Sequence, residues 1–491
     1  MELGSLPFPV AGSMPCPTRL TFLAVLLSAL AGCSTGTSPN PRSAINGGGP
    51  GSRLAVVTLN GPDSLAVFSG FNDMERGEPC QVLLAGDGTL RCLPLGVNGP
   101  TDGNVFADPT WAESSRLVRR RTPYAGANLA VMPDPANCPT RWHVRELGTQ
   151  VTGNPPICTQ ANPGDPCVEL PWQSVDRYLL AGEIAPASFV SFTERLGVPH
   201  DGLRARDLVA ADGAWQQSGA WDEGRGLPCS WILDGMGAWR CVDSDRAGWY
   251  GLWSDAACSV PAVSYLRGDV GCAPTIAVGD SGQGCRGRSG IHEVGAVLPG
   301  VYQFPDPVSN PVCWAVESPS AFAAGPFWSR GVELSPATFP IGVEAPAGRG
   351  RLAAASVSLG TDPRPVGELI DRELEFRCTA GYMVNEDVLR CLPTEASLAM
   401  VVDNYFSDTL CWSRLAWSTG CDASVALFHD PSDTFDRYYR LGAPLPGTIY
   451  SFVGNDCLPS PGPWPEGVPH LLGADIPSSA FAQLTYELRI P

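Results

Sequence analysis

"RGEPCQVLLAGDGTLRC", residues 76–92, decides how this chain is read. Two cysteines bracket a Gly-Asp-Gly turn, and an arginine stands directly before the second. The stretch returns as "RGLPCSWILDGMGAWRC" at 225–241 and, altered, as "LEFRCTAGYMVNEDVLRC" at 374–391. Cys80, Cys229 and Cys378 are spaced by 149 residues and again by 149, and Cys92, Cys241 and Cys391 by 149 and 150. Arg91, Arg240 and Arg390 precede the second cysteines, while Asp73, Asp222 and Asp371 stand seven residues before the first. Gly148, Gly295 and Gly442 recur at 147 and 147. Such periodicity is the signature of tandem repeats. It divides the chain into three modules of roughly 147 residues: 53–201, 202–349 and 350–491.

The Gly-Asp-Gly turn of the first copy becomes Asn-Glu-Asp in the third, so no metal or phosphate geometry is kept. Eleven residues between the cysteines suffice for two short strands and a turn. The motif therefore reads as a stapled hairpin, each bond worth about 3 kcal/mol if unstrained.

Each module opens with an alternating stretch, "GSRLAVV", "DGLRARDLV" or "GRGRLAAASVSL", and continues through short runs punctuated by Gly, Pro, Asp and Asn. This is strand-and-turn grammar, with no amphipathic helical run beyond the N-terminal region. The expected class is all-β. Units near a third of a module approach the length of a four-stranded propeller blade, and a closed ring would protect strand edges. A propeller-like ring is slightly favoured over three separate β-sandwich or barrel domains.

Of 18 cysteines, setting aside Cys16 and Cys33 leaves 16, an even number suited to a disulfide framework in an exported protein. Besides the staples Cys80–Cys92, Cys229–Cys241 and Cys378–Cys391, comparison between modules suggests Cys258–Cys272 and Cys411–Cys421, because both positions change together to Trp111 and Ala127 in the first module. Cys285–Cys313 and Cys138–Cys167 follow by correspondence. Cys158–Cys457 would tie the chain ends together, or Cys158 pairs with Cys167 and leaves Cys138 over.

At the N-terminus, Arg19 precedes the apolar run "LTFLAVLLSALAG" (20–32), too short for a permanent membrane span but suited to a signal peptide. Leu30-Ala31-Gly32-Cys33 resembles the lipobox of bacterial lipoproteins, and the modules resemble repeat-containing, cysteine-rich envelope lipoproteins of GC-rich bacteria. The resemblance implies a signal peptide over 1–32, acylation of Cys33 and, through Ser34, an outer-membrane location. A start at Met14 gives a more typical short leader, "MPCPTR". Residues 33–52, rich in Gly, Ser and Pro, read as the acylated cysteine and a flexible tether. The expected partners are the membrane through the acyl anchor and a glycan or envelope protein. A net charge of −18 without basic clusters argues against nucleic acid.

No cofactor is implied. "GDSGQG" (279–284) resembles the nucleophile loop of chymotrypsin-type serine proteases over six residues only, without the companion histidine segment, and His200 falls in an apparent linker. His143, His200, His292, His429 and His470 do not recur at aligned positions and form no metal spacing. The recurrent aspartates, Asp73, Asp222 and Asp371 and likewise Asp108, Asp255 and Asp408, read as turn caps or ion-pair partners, for instance Asp222 reaching Arg240. Trp215, Trp221, Trp231 and Trp239 are the candidate ligand contacts, against a core role for the same side chains. The expected function is a non-catalytic, lipid-anchored envelope scaffold for binding or display. The alternatives are a glycan- or protein-binding lectin-like propeller and a secreted polysaccharide hydrolase.

Overall fold

Apolar–polar alternation broken every few residues by Gly, Asp or Pro favours antiparallel hairpins over helices. The computed structural model is accordingly all-β: among the described residues it contains strands and short 3-10 turns but no α-helix. It describes residues 47–490 apart from gaps that fall mainly within 96–127, 152–176, 266–272, 304–325, 419–435 and 454–466.

The largest sheet follows the chain almost without crossing. Leu54–Asn60, Ala66–Asp73, Glu78–Leu84 and Leu90–Pro94 form a meander, and Ser191–His200 adds to its end. Leu203–Ala210, Trp215–Asp222, Leu227–Leu233 and Trp239–Asp243 continue it and are followed by Ile341–Glu344. Leu352–Leu359, Asp362–Asp371, Phe376–Tyr382 and Leu389–Pro393 come next. The last strand, Thr485–Arg489, pairs with the first, Leu488 lying opposite Val57. Just upstream of that strand, the Cys391 amide donates to the Ala482 carbonyl and the Leu484 amide to the Leu389 carbonyl. The ladder is thus continuous from its last strand back to its first, and neither end is left as a free edge.

On one side its apolar side chains gather in three cores, each around one staple disulfide and each borrowing from the next stretch of sheet, while Leu93, Ile232 and Val242 pack against the smaller sheets. Cys80 and Cys92 pack with Leu54, Phe71 and Phe192, joined by Leu208 and Ala210. Cys229 and Cys241 pack with Trp231 and Trp239, joined by Val357. Cys378 and Cys391 pack with Leu369 and Phe481, joined by Leu65 and Val67. Hairpin tips lock the exchange. Asp212 Oδ2 accepts from the amides of Arg53 and Leu54 at 2.9 and 2.6 Å, and Asp63 Oδ2 accepts from the Arg351 amide at 2.8 Å.

Residues 47–51 belong to this body and not to a flexible tether, which corrects the expected boundary at 52. Gly48 and Gly49 pair with Gln216 and Trp215. A Cβ on Gly48 would lie 2.4 Å from the Phe68 ring, and one on Gly49 2.3 Å from the Trp215 indole nitrogen. At Gly47 (φ +103°) the neighbours are Pro365, Phe68 and Gln217, one from each third of the large sheet. Glycine is required because backbone is wedged between side chains. "GVPHDGL" is not a linker either: Ser191–His200 is a strand, and His200 faces Leu203 across a turn with Asp201 at φ 48° and Gly202 at φ 78°.

Three smaller sheets share one strand order. The first runs Val97–Asn98, Leu129–Asp134, Arg141–Val151, Arg177–Glu183, Leu117–Arg119. The second runs Ala247–Trp253, Ile276–Ser281, Cys285–Val297, Trp328–Glu333, Pro261–Tyr265. The third runs Leu398–Phe406, Val425–His429, Asp436–Pro444, Val468–Ile476, Arg414–Ser418. The second and third close into small barrels, because their first and last strands also pair.

The disulfides include Cys80–Cys92, Cys229–Cys241 and Cys378–Cys391, with Cα–Cα separations of 5.3, 5.3 and 5.2 Å. Elsewhere the pairing differs from expectation: Cys258 bonds Cys313 and Cys411 bonds Cys457. This replaces Cys258–Cys272, Cys411–Cys421, Cys285–Cys313 and Cys158–Cys457. Comparing repeats could not separate the candidates, since several cysteines are shared by the second and third modules alone. Geometry selects the partner, because a hairpin folds back over each Asp-x-x-Cys loop: the Cys313 sulfur lies 3.6 Å from the Asp255 carbonyl, and that of Cys457 3.5 Å from the Asp408 carbonyl. Cys138 is disulfide-bonded, while Cys33, Cys167, Cys272 and Cys421 lie outside the described residues. Five disulfides among the described residues indicate an oxidising, extracytoplasmic compartment.

Overpacking a tight site costs about 1–3 kcal/mol. Gly49→Val should lower the urea midpoint accordingly, whereas Gly70→Ala, with nothing within 4 Å of its Cβ position, should leave it unchanged. Removing residues 485–491 should bare the edge at Leu54–Asn60, and size-exclusion chromatography should then show self-association.

Candidate functional site

The arginine before each second cysteine holds a repeated lock. Arg91 Nε donates to Asp87 at 3.0 Å and Nη1 to the Phe189 carbonyl at 2.8 Å. Arg240 binds Asp234 at 2.8 Å and the Phe339 carbonyl at 3.2 Å. Arg390 binds Glu386 at 2.8 Å and the Phe481 carbonyl at 3.3 Å. The planar guanidinium suits the task, spanning a hairpin-turn carboxylate and a carbonyl just before the neighbouring strand. Asp222 does not reach Arg240; the arginine's partner is Asp234 in its own hairpin turn. Burial raises the pKa of Asp234, but hydrogen bonds from Arg240 and from the amides of Ala238 and Met236 outweigh it and hold the carboxyl below its usual range. The Phe189, Phe339 and Phe481 anchors follow 3-10 turns at Pro186–Ser188, Pro336–Thr338 and Ser478–Ala480 and are 1–2% exposed. Sequence reading missed them, although "PASF", "PATF" and "SSAF" recur.

Asp73, Asp222 and Asp371 cap the preceding turns. Asp73 Oδ1 accepts from the Glu75 amide, Asp222 Oδ1 from that of Arg225, and Asp371 Oδ1 from those of Glu373 and Leu374. Arg53 and Arg351 add ion pairs to Asp73 and Asp371 at 2.6 and 2.8 Å. Beside the first lies a cleft of about 560 Å³ lined by Arg53, Glu75, Arg76 and Glu78. Its charges are paired with each other, Arg53 with Glu75 and Arg76 with Glu78. Arg351 and Glu373 repeat the first of these pairs elsewhere in the chain, so the charges serve the fold.

Trp231 and Trp239, expected as ligand contacts, are 9% and 5% exposed in the core around the second staple, so neither offers a face to a sugar. The Arg377 guanidinium stacks over Trp239 at 5.2 Å. Trp215 and Trp221 are half-buried, the first covered by Gly49. Among the described residues the exposed tryptophans are others: Trp412 at 81% and Trp314 at 50%. Each follows a cysteine of a loop-closing disulfide.

Among the described residues, these loops hold their exposed aromatic side chains on a disulfide and an aspartate cap. Asp408 Oδ1 accepts from the Leu410 amide at 2.9 Å, and Oδ2 accepts from the Ser413 amide at 2.6 Å. Desolvation opposes ionisation of Asp408, yet hydrogen bonds from Ser413, Leu410 and Trp412 hold its pKa below the usual value. Asp255 caps the corresponding loop through Ser259 and Val260, and its pKa is likewise lowered, chiefly by the Ser259 hydroxyl. Cys258 and Cys411 take positive φ, 48° and 54°, inside the caps. Around Cys411–Cys457 the exposed apolar side chains are Leu410, Trp412, Phe452 and Leu458. Phe452 faces Cys457 across its hairpin and meets Phe406 edge-on at 5.3 Å. The equivalent Asp108 lies outside the described residues.

Among the described residues no three His, Cys, Asp or Glu side chains are placed to hold a metal. The "GDSGQG" segment ends a strand at Ser281, and 282–284 lie outside the described residues.

Removing a buried aromatic costs about 3–5 kcal/mol, so Trp239→Ala should strongly lower the denaturation midpoint. Trp412→Ala should leave stability within about 0.5 kcal/mol. His292, 6% exposed, gives a pH signature. Burial first, then the charge of Arg330, depresses its pKa below the ordinary 6.5. Above that value the ring is neutral in both folded and unfolded chains. As pH falls below it, the unfolded chain takes up a proton that the folded chain refuses, and stability declines until the folded pKa is passed. His292→Tyr should reduce the loss of stability between about pH 7.5 and about pH 5.5, measured by urea denaturation.

A family model described as "Family of unknown function (DUF7481)" matches residues 335–463, from the turn before Phe339 through the third staple to the Cys411–Cys457 loop. No curated protein and no solved structure matches the chain.

Proposed function

We propose that this chain is a lipid-anchored outer-membrane protein that displays a rigid, non-catalytic β scaffold in the cell envelope. The observation that carries the reading is a combination. Leu30-Ala31-Gly32-Cys33 has the form of an acylation site, and the body behind it holds disulfides that need an oxidising compartment. On this reading residues 1–32 are a signal peptide, Cys33 carries the lipid, and 34–46 are the tether. The three repeats form one ring joined strand to strand. The matching cores, the Arg locks and the pairing of Thr485–Arg489 with Leu54–Asn60 support that arrangement.

The exposed tryptophans favour a second reading in which the scaffold binds a glycan or another envelope protein. An exposed indole on a disulfide-pinned, Asp-capped loop loses little freedom when a ligand covers it, so more of the contact appears as affinity.

Cys33→Ala should move the protein from the membrane to the soluble fraction; retention in the membrane would end the lipoprotein assignment. On a glycan array, the wild type should bind and Trp412→Ala should not. An array that stays blank with wild-type protein removes the glycan reading.

A further inference from the structure

We propose that the barrel formed around Ile276–Ser281, Cys285–Val297 and Trp328–Glu333 contains a small-anion site, in which Arg330 and His292 hold a carboxylate or phosphate group. In the three small sheets the corresponding strand pairs are shifted by the same two bulges. Leu147 faces Leu180, Val294 faces Arg330, and Leu441 faces Leu472. One step along the ladder, Arg145 faces Glu183, His292 faces Glu333, and Tyr439 faces Asp475.

The middle barrel departs from its neighbours at a core position. Leu180 is 7% exposed in its apolar cluster, and Leu472 packs against the equivalent cluster of the third sheet. Arg330 puts a guanidinium at that place, and burial depresses its pKa with Glu333 as the countercharge. Its cross-strand neighbour is also smaller, Val294 in place of Leu147 or Leu441. Beside it, His292 is 6% exposed, and both ring nitrogens are buried without a well-aligned hydrogen bond, although the Gly331 backbone lies close enough to favour the protonated ring. The remaining wall is apolar: Ala247, Val263, Ala277 and Trp328.

A buried imidazole without a well-made hydrogen bond is costly unless something answers it, and beside it stands the half-buried guanidinium of Arg330, with Glu333 as its countercharge. The residues that would fill the position with hydrocarbon are present in both sister sheets, so hydrocarbon is compatible with this strand arrangement. An anion supplies what is missing. It can accept two hydrogen bonds from the guanidinium fork and one from the imidazole, and charge-assisted bonds of this kind are the strong ones. The site is independent of the lipid anchor and of the tryptophan loops.

The test uses the full chain, isotope-labelled at histidine, with ring signals followed by NMR at fixed pH. Inorganic phosphate is added in one arm and acetate in another, and His292→Tyr assigns the signal by its absence. Phosphate or acetate should move the His292 signal saturably and raise the thermal midpoint. Arg330→Leu, the residue of both sister sheets, should remain folded by circular dichroism and bind at least about tenfold more weakly, as loss of a charged hydrogen-bond partner implies. If neither anion moves the wild-type His292 signal, or if Arg330→Leu responds as the wild type does, the site does not exist.

Discussion

A sheet that runs through fifteen antiparallel strands must dispose of its two ends, and here they dispose of each other. The ladder between Thr485–Arg489 and Leu54–Asn60 joins residues more than 400 positions apart. It satisfies backbone donors and acceptors that would otherwise offer a template for another chain. Other features gain their meaning from this closure. The three staple cores can borrow side chains from the next stretch of sheet because there is always a next stretch. The glycines at 47–49 can meet residues from each third of the sheet because those thirds converge there.

Within the large sheet, covalent and polar restraints act at the same hairpins. A staple limits the unfolded chain, while the adjacent arginine joins the hairpin turn to the carbonyl of a buried phenylalanine just before the neighbouring strand. Lysine could not span both partners with a planar fork. Disulfide and arginine therefore restrain different things: the first closes a hairpin on itself, and the second fixes where the small-sheet excursion rejoins the large sheet. The excursions are freer to vary. The middle one exchanges a core leucine for Arg330, and the outer two do not.

The staples were legible because a short hairpin closes locally: Cys80 and Cys92 face one another across a single turn, and no other cysteine lies near in sequence. The partners of Cys258 and Cys411 were not, since their loops close over 55 and 46 residues and several candidates shared the same pattern of occurrence. Aspartate caps were readable as a class, yet the expected pairing of Asp222 with Arg240 failed because Asp234, in the turn itself, lies closer to the arginine. Among tryptophans, alternation in "CSWILDGMGAWRC" assigned Trp231 and Trp239 to facing strands but could not say which face was covered. Trp412, the most exposed, sits in a loop that alternation does not describe.

By itself the sequence determined the all-β class, the threefold period, the local staples and the oxidising surroundings that so many cysteines require. These follow from composition and from contacts between residues close along the chain. Only the tertiary structure decided that the last strand seals the first, that "GGGPG" is wedged into the body, and that two long-range disulfides pin aromatic loops. It alone set Arg330 and a buried His292 inside one barrel. Each of these depends on which distant surfaces meet, and that is decided by the register of whole sheets and not by the residues at either end of the contact.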